Sequence, residues 1–265
     1  MTVVTTHPIV GIIQARMGST RLPGKALLDL AGAPFLARVI ERMQHAETLD
    51  ALVLATTSDP TDDPLVELAV SLGVGVYRGS VDDVLDRFTQ AARQAEAALI
   101  VRITADDPFK DPQVTDHAVR LWLQEPTLDY VSNTLEPTYP EGLDIEVFTR
   151  AALERAWRKA RLPSEREHVT PYIWKHPDRF RVRNFKFARD LSHLRWTVDY
   201  PEDLDFARAV YERLYHPGRV FLMEDILRLL EAEPELAQIN AGFRRNEGYL
   251  KSLAEDARQR QQPPH

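Results

Sequence analysis

Ile9-Val-Gly-Ile-Ile13 followed by Gln14-Ala-Arg-Met-Gly-Ser-Thr-Arg-Leu-Pro-Gly-Lys25 decides how the rest of the chain is read. The apolar run is too short for a helix and ends in turn-forming residues, so it reads as a fully buried strand. The segment after it carries three cations, Arg16, Arg21 and Lys25, two glycines, Gly18 and Gly24, and no acidic residue. Ala26-Leu-Leu-Asp-Leu30 then returns to apolar chain. The segment is therefore a loop at the carboxyl end of a strand, which is where open α/β sheets bind ligands. Its glycines let the backbone approach a ligand and expose amide donors. Point charges combined with oriented N–H groups suit a polyphosphate. Three cations are more often just a solvated loop, but here nothing acidic lies between Gln14 and Lys25 to balance them. Neither Gly-x-x-x-x-Gly-Lys-Ser/Thr nor Gly-x-Gly-x-x-Gly is present, so this is not a common phosphate or dinucleotide loop.

The same stretch, Gln14 to Lys25, resembles the nucleotide-binding loop of the cytidylyltransferases that activate acidic sugars, the group holding acylneuraminate and 3-deoxy-manno-octulosonate cytidylyltransferases. It is most similar to their branch of the spore-coat polysaccharide biosynthesis protein F type, and the resemblance runs from about Ile12 to the C-terminus. It implies a nucleotide-diphospho-sugar transferase-like fold and a loop that grips the triphosphate of CTP. Gln14, Ala15, Arg16, Gly18, Ser19, Arg21 and Lys25 would then bind nucleotide, with Arg16 and Lys25 catalytic because they offset charge as pyrophosphate leaves.

A chain of 265 residues with 44% apolar content is long enough for one large α/β domain and its core. The division expected is an α/β domain over 1–215 and a C-terminal helical extension over 216–265, packed on it or on a second subunit. The formal charge of −7, from 33 basic and 40 acidic residues, argues against bulk attraction to nucleic acid or anionic membrane. No run reaches the roughly 18 apolar residues of a membrane span, and a soluble, cytoplasmic protein is expected. With 0 cysteines, any metal falls to carboxylates and imidazoles and is more suitably a hard ion such as Mg²⁺.

Along the chain, strands and helices alternate. A helix is expected from Pro34 to Met43, with the proline in its first position, and a strand over Ala51–Thr56. A helix over Leu65–Leu72, a strand over Gly75–Gly79, a helix capped by Ser80 with Asp83 and running to about Ala98, and a strand over Leu99–Thr104 follow. Repeated alternation indicates a doubly wound, mostly parallel sheet covered on both faces. Further strands are expected over Asp129–Asn133, Ile145–Phe148, Phe180–Phe187 and His193–Val198. Helices are expected over Arg150–Ala160, from Pro201 to about Leu214, over Met223–Glu233 and from about Asn246 to Ala257. Only the last few residues read as disordered.

Asp106 and Asp107 follow a strand, so they sit at the carboxyl edge. Two carboxylates there suit a metal, and one of them capping the helix after Pro112 is an equally good reading. The resemblance implies that Asp106, in the position of the family's Asp-x-Pro, binds Mg²⁺. Asp199, in Val198-Asp-Tyr-Pro-Glu-Asp-Leu204, matches its second metal carboxylate. Acids at the start of that helix also suit its dipole.

Tyr139-Pro-Glu-Gly-Leu-Asp144 is either a loop over an acceptor site or an ordinary crossover, and Arg166-Glu-His168 follows a capping box beginning at Ser164. A histidine among charges is usually a capping or solvated group. Both stretches are similar to elements of the spore-coat branch, which implies acceptor contacts for Glu141, Gly142, Asp144, Arg166, Glu167 and His168. Arg78 and Thr104 end strands on the same edge and are weaker candidates for the base.

The reading is a cytidylyltransferase moving CMP to a small anionic acceptor, an acidic sugar of the nonulosonate type or a phosphorylated or phosphonate compound, in surface polysaccharide or related biosynthesis. A homodimer is expected, through the loop around Tyr139 or the tail. The alternatives are a sugar-1-phosphate nucleotidyltransferase, a nucleotide-sugar glycosyltransferase, or a non-catalytic nucleotide-binding subunit. The first lacks its longer Gly-rich loop here, the second a clear Asp-x-Asp, and the third does not need a complete metal site.

Overall fold

The computed structural model describes residues 8–19, 21–243 and 245–261, with side chains through Arg258. The expected disorder of the last residues lies outside them. Strands β1 (Ile9–Gln14), β4 (Ala51–Thr57), β5 (Gly75–Gly79) and β6 (Leu99–Thr104) run parallel. β8 (Glu146–Thr149) pairs antiparallel with β6 and with β7 (Tyr130–Ser132), and β9 (Val182–Asn184) closes the sheet beside β7. The order is β5-β4-β1-β6-β8-β7-β9, a mostly parallel sheet of seven strands. A short hairpin of β2 (Asp29–Leu30) and β3 (Ala33–Pro34) stands apart from it.

Helices cover both faces because successive strand residues point to opposite sides. Ile9 and Ile13 of β1 join a core with α1 (Phe35–Met43), α2 (Asp63–Ser71), α4 (Pro112–Gln124), α8 (Pro201–Leu214) and α9 (Met223–Ala232). Val10 and Ile12 instead join α3 (Val84–Gln94), α5 (Arg150–Lys159) and α7 (Pro171–Trp174). In α1 the buried Phe35, Leu36, Val39, Ile40 and Met43 fall on one stripe, each contributing roughly 1.5–3 kcal/mol by leaving water. The remaining helices are α6 (Pro163–His168) and α10 (Glu247–Gln261), which pack together.

From β1 the chain winds outward to β4 and β5, then crosses to β6 on the other side of β1. The crevice at such a switch point lies at the carboxyl ends of β1 and β6. The cationic loop leaves one strand there and Asp106 follows the other.

Several local expectations need correction. Pro34 belongs to β3 and precedes α1 instead of opening it. Asp83, not Ser80, caps α3, accepting from the Asp86 amide at 2.9 Å, and α3 stops at Gln94 because the chain must turn into β6. Asp111 caps α4, so neither Asp106 nor Asp107 does. Before α6 it is Glu165 that accepts from the Arg161 and Leu162 amides, while the Ser164 hydroxyl goes to Asp256. His193–Val198 forms no ladder: it lies against the Glu141 loop, with Glu141 N donating to Leu194 O and Trp196 N donating to Glu141 O.

Tyr139 is buried against Phe185 and Phe187 of its own chain, so the loop around it is not an open apolar surface.

Candidate active site

Lys25 is the centre of the arrangement. Gly24, at φ 69°, takes the left-handed conformation that lets the loop close into a single helical turn, Lys25–Leu27, and this turn carries Lys25 inward. Its Nζ donates to the Val198 carbonyl at 2.7 Å, to Asp199 Oδ1 at 3.1 Å and to Asp106 Oδ2 at 3.3 Å. Burial opposes the charged ammonium, yet Asp106 and Asp199 together hold its pKa above the ordinary value. Asp199 shows the converse: burial would raise its carboxyl, but Lys25 and Arg21 keep it below the usual range. Arg21 Nη2 lies 2.6 Å from Asp199 Oδ1. The loop, the end of β6 and the start of α8 thus meet at one cation.

Two acids that sequence reasoning passed over hold this geometry. Asp62 is buried beneath the loop and accepts from Met17 N at 2.7 Å, Thr56 Oγ1 at 2.9 Å and Thr57 N at 3.1 Å. Burial alone would raise its carboxyl; hydrogen bonds from Thr57, Met17 and Thr56 hold it low. Asp203, fully buried, accepts from the Asp199 and Tyr200 amides at 3.0 and 3.1 Å and is gripped by both Nε and Nη2 of Arg195 at 2.8 and 2.9 Å. The sequence presents both only as turn or helix-start acids, because nothing local says which backbone groups they reach.

Arg16 is exposed on the loop, and its charge bears on the buried Arg87 of α3. Burial first, and then Arg16, push Arg87 down to about 10. Ala15 is buried at the loop's root, while Gly18 and Ser19 lie on its outer part. Gln14 accepts from Arg102 Nε at 3.2 Å, and Arg102 also pairs with Glu146. Arg102 was another residue missed, since a lone arginine in a strand carries no local signal of a buried partner.

The other sequence candidates are scattered among structural contacts. Arg78 spends its guanidinium on the turn after β4, donating to Thr57 O at 2.9 Å, Asp63 Oδ1 at 2.5 Å and Asp59 O at 2.8 Å. Thr104 donates to Asp107, which also pairs with the buried Lys110 at 2.9 Å. Gly142, at φ 104°, packs so closely on Trp196 that a Cβ would lie 2.7 Å from its carbonyl carbon. Arg166 is held by Asp83 and the Trp157 carbonyl.

Glu141 accepts from Arg195 at 3.0 Å and from the Asn246 amide at 2.7 Å. Burial pushes its carboxyl up to about 7 against those partners. Asp144 pairs with Arg245 at 2.5 Å. His168 Nε2 lies 3.0 Å from Ser252 Oγ, which donates to Glu167, and burial, followed by Arg102, lowers His168 to about 4.

The site therefore presents cations from one loop opposite two carboxylates that converge on a single cation position, an arrangement suited to a polyphosphate. A cytidylyltransferase family model matches residues 10–235. This chain belongs to the cytidylyltransferase family.

The enzyme is 33% identical over 239 residues to spore coat polysaccharide biosynthesis protein SpsF of Bacillus subtilis, covering 87% of this chain and 97% of that protein. It is 36% identical over 123 residues to 3-deoxy-manno-octulosonate cytidylyltransferase of Pelobacter propionicus, covering 45% of this chain and 46% of that one. A solved cytidylyltransferase from Leptospira borgpetersenii superposes with a TM-score of 0.84 at 33% identity, covering 90% of this chain and 100% of that one. The expected fold class and the assignment as a nucleotidyltransferase both stand. Among the described residues no helix is long and apolar enough to cross a membrane.

Proposed function

We propose that the enzyme transfers CMP from CTP to a small anionic acceptor, an acidic sugar of the nonulosonate type or a phosphorylated or phosphonate compound, in surface polysaccharide or related biosynthesis. The observation that carries this is the Lys25 ammonium lying between Asp106 and Asp199 at the foot of the cationic loop. Arg16, Arg21 and Lys25 bind the triphosphate. An acceptor oxygen bonds to the α-phosphorus in line, the α–β bridging P–O bond breaks, its electron pair leaves with pyrophosphate, and the acceptor proton passes to solvent. The chain's contribution is alignment and stabilisation of the charge that develops on the leaving phosphates.

Asp106 and Asp199 suit Mg²⁺, because both already aim an oxygen at one positive group. Among the described residues no cluster of three or more His, Cys, Asp or Glu side chains could hold an ion by itself. This fits an ion whose other ligands are phosphate oxygens and waters. When bound, Mg²⁺ would neutralise phosphate charge. Lys25 and Arg21 hold Asp199 ionised and in place for it.

Mg²⁺-dependent pyrophosphate release tests the reading, with CTP, UTP, GTP, ATP and dTTP each offered pools of acidic sugars, sugar phosphates and phosphonates. Release with CTP alone, lost in Asp199→Asn, is expected. Another nucleotide giving the faster release would overturn the cytosine assignment, and no release from any pool would sink the transferase reading.

A further inference from the structure

Arg102 lies in the middle of the sheet, on β6, in register with the fully buried Ile12 of β1 and two residues from the fully buried Ile100. An apolar side chain would suit this face. The charge is instead matched by Glu146, its register partner on β8. Glu146 is fully occupied: one oxygen accepts from Arg102, and the other accepts from Tyr130 Oη at 2.7 Å and from Thr170 Oγ1. A mostly buried ion pair of this kind adds little net stability over packed apolar residues, because desolvating two charges offsets their attraction. Holding the sheet together is therefore not a sufficient reason for an arginine here.

The guanidinium also reaches Gln14, whose Oε1 accepts from Arg102 Nε at 3.2 Å. Arginine carries donors only, in a rigid planar fork that Glu146 fixes. An amide beside it must turn its oxygen toward the arginine and its NH₂ group away. Without that partner the terminal torsion of a glutamine is broad, and both orientations would be populated. Gln14 Nε2 donates to no described residue and is not among the buried unpaired atoms, so it keeps accessible surface. Gln14 is the last residue of β1, directly before the cationic loop. Two oriented N–H donors at that edge suit an oxygen of the ligand that the loop holds.

We propose that Arg102 is a positioning residue for nucleotide binding: braced by Glu146, it holds the Gln14 amide with its NH₂ group outward, to donate to an oxygen of bound CTP. The proposal rests on the cytidylyltransferase reading above. Arg102 itself touches no substrate and acts through Gln14. Fixing the amide before the ligand arrives removes part of the ordering cost of binding.

The test is a cycle of variants of the full-length protein, with CTP affinity measured by calorimetry in the presence of Mg²⁺. Gln14→Ala removes the donor. Arg102→Met combined with Glu146→Gln removes the brace without leaving a buried carboxylate alone, and keeps an acceptor for Tyr130 and Thr170. Each is expected to weaken CTP binding about 5- to 10-fold, the effect of one lost hydrogen bond, and all three substitutions together are expected to weaken it no further than either. A merely structural Arg102 would cost as much affinity in the Gln14→Ala background as in the wild type, so additive losses overturn the proposal. Unchanged affinity in the paired variant also overturns it. Melting temperature checks that the paired variant is folded; should it not fold, Arg102→Lys, which keeps a charge for Glu146 and loses the planar fork, takes its place in the cycle with the same outcomes. In each of these cases CTP binding by the wild type leaves the parent reading standing. If the wild type does not bind CTP, the parent reading fails and takes this one with it.

Discussion

Lys25 Nζ lies 3.1 Å from Asp199 Oδ1 although the two residues are 174 positions apart. The contact joins the first loop of the fold to the start of a helix near its end, and Asp106 completes the group from a third element. Removing the ammonium leaves two half-buried carboxylates facing each other, so Lys25→Ala is expected to lower kcat by ~10²-fold or more. Steady-state pyrophosphate release checks it; near-normal turnover contradicts the assigned role.

The same contact makes a prediction about metal that does not depend on turnover. In Lys25→Met the carboxylate pair lacks its cation, and Mg²⁺ should raise the melting temperature of this variant more than that of the wild type. Equal shifts in the two proteins, read by calorimetry with and without Mg²⁺, count against a metal role for Asp106 and Asp199.

Asp62 ties the cationic loop to the end of β4 through Met17, Thr56 and Thr57. Asp62→Ala strands those donors, and a stability loss of roughly 3 kcal/mol is expected. Asp62→Asn keeps the shape, so it should lose less stability while still weakening nucleotide binding through a looser loop. Denaturant unfolding and nucleotide titration separate the two effects.

His168, held near 4 by burial and by Arg102, should be neutral in the folded protein near neutral pH. Its ordinary value in the unfolded chain is 6.5, so between the two values the unfolded state binds more protons and stability falls as pH falls. The contribution is complete above 6.5 and is lost progressively toward about 4, with a cost on the order of 3 kcal/mol. In His168→Gln the fall in melting temperature across this window should be smaller than in the wild type. Glu141, raised to about 7, acts in the opposite sense, losing stability as pH rises toward that value. The comparison must therefore be between variants at matched pH.

Gly142 cannot carry a side chain where it sits, because a Cβ would lie 2.7 Å from the Trp196 carbonyl carbon and φ is 104°. Gly142→Ala is expected to cost at least about 2 kcal/mol, measured by urea unfolding. A neutral result contradicts the close approach of this loop to Trp196.

What the sequence determined by itself was the order of strands and helices, the mostly parallel sheet and the cationic loop after β1. These are local properties: apolar spacing, turn residues and a run of charge without counter-charge can each be read over a few positions. Asp106 and Asp199 were singled out by resemblance to known motifs. The tertiary structure decided their meeting at Lys25, the use of Arg78 on a turn, the locking of Asp199 by Asp203 and Arg195, and the attachment of Glu141, Asp144 and His168 to the C-terminal segment. It also decided that His193–Val198, which alternates as a strand should, lies against the Glu141 loop instead of joining the sheet. Side-chain direction and long-range pairing depend on how whole elements pack. A residue's neighbours along the chain carry no record of what packing brings to it across the fold.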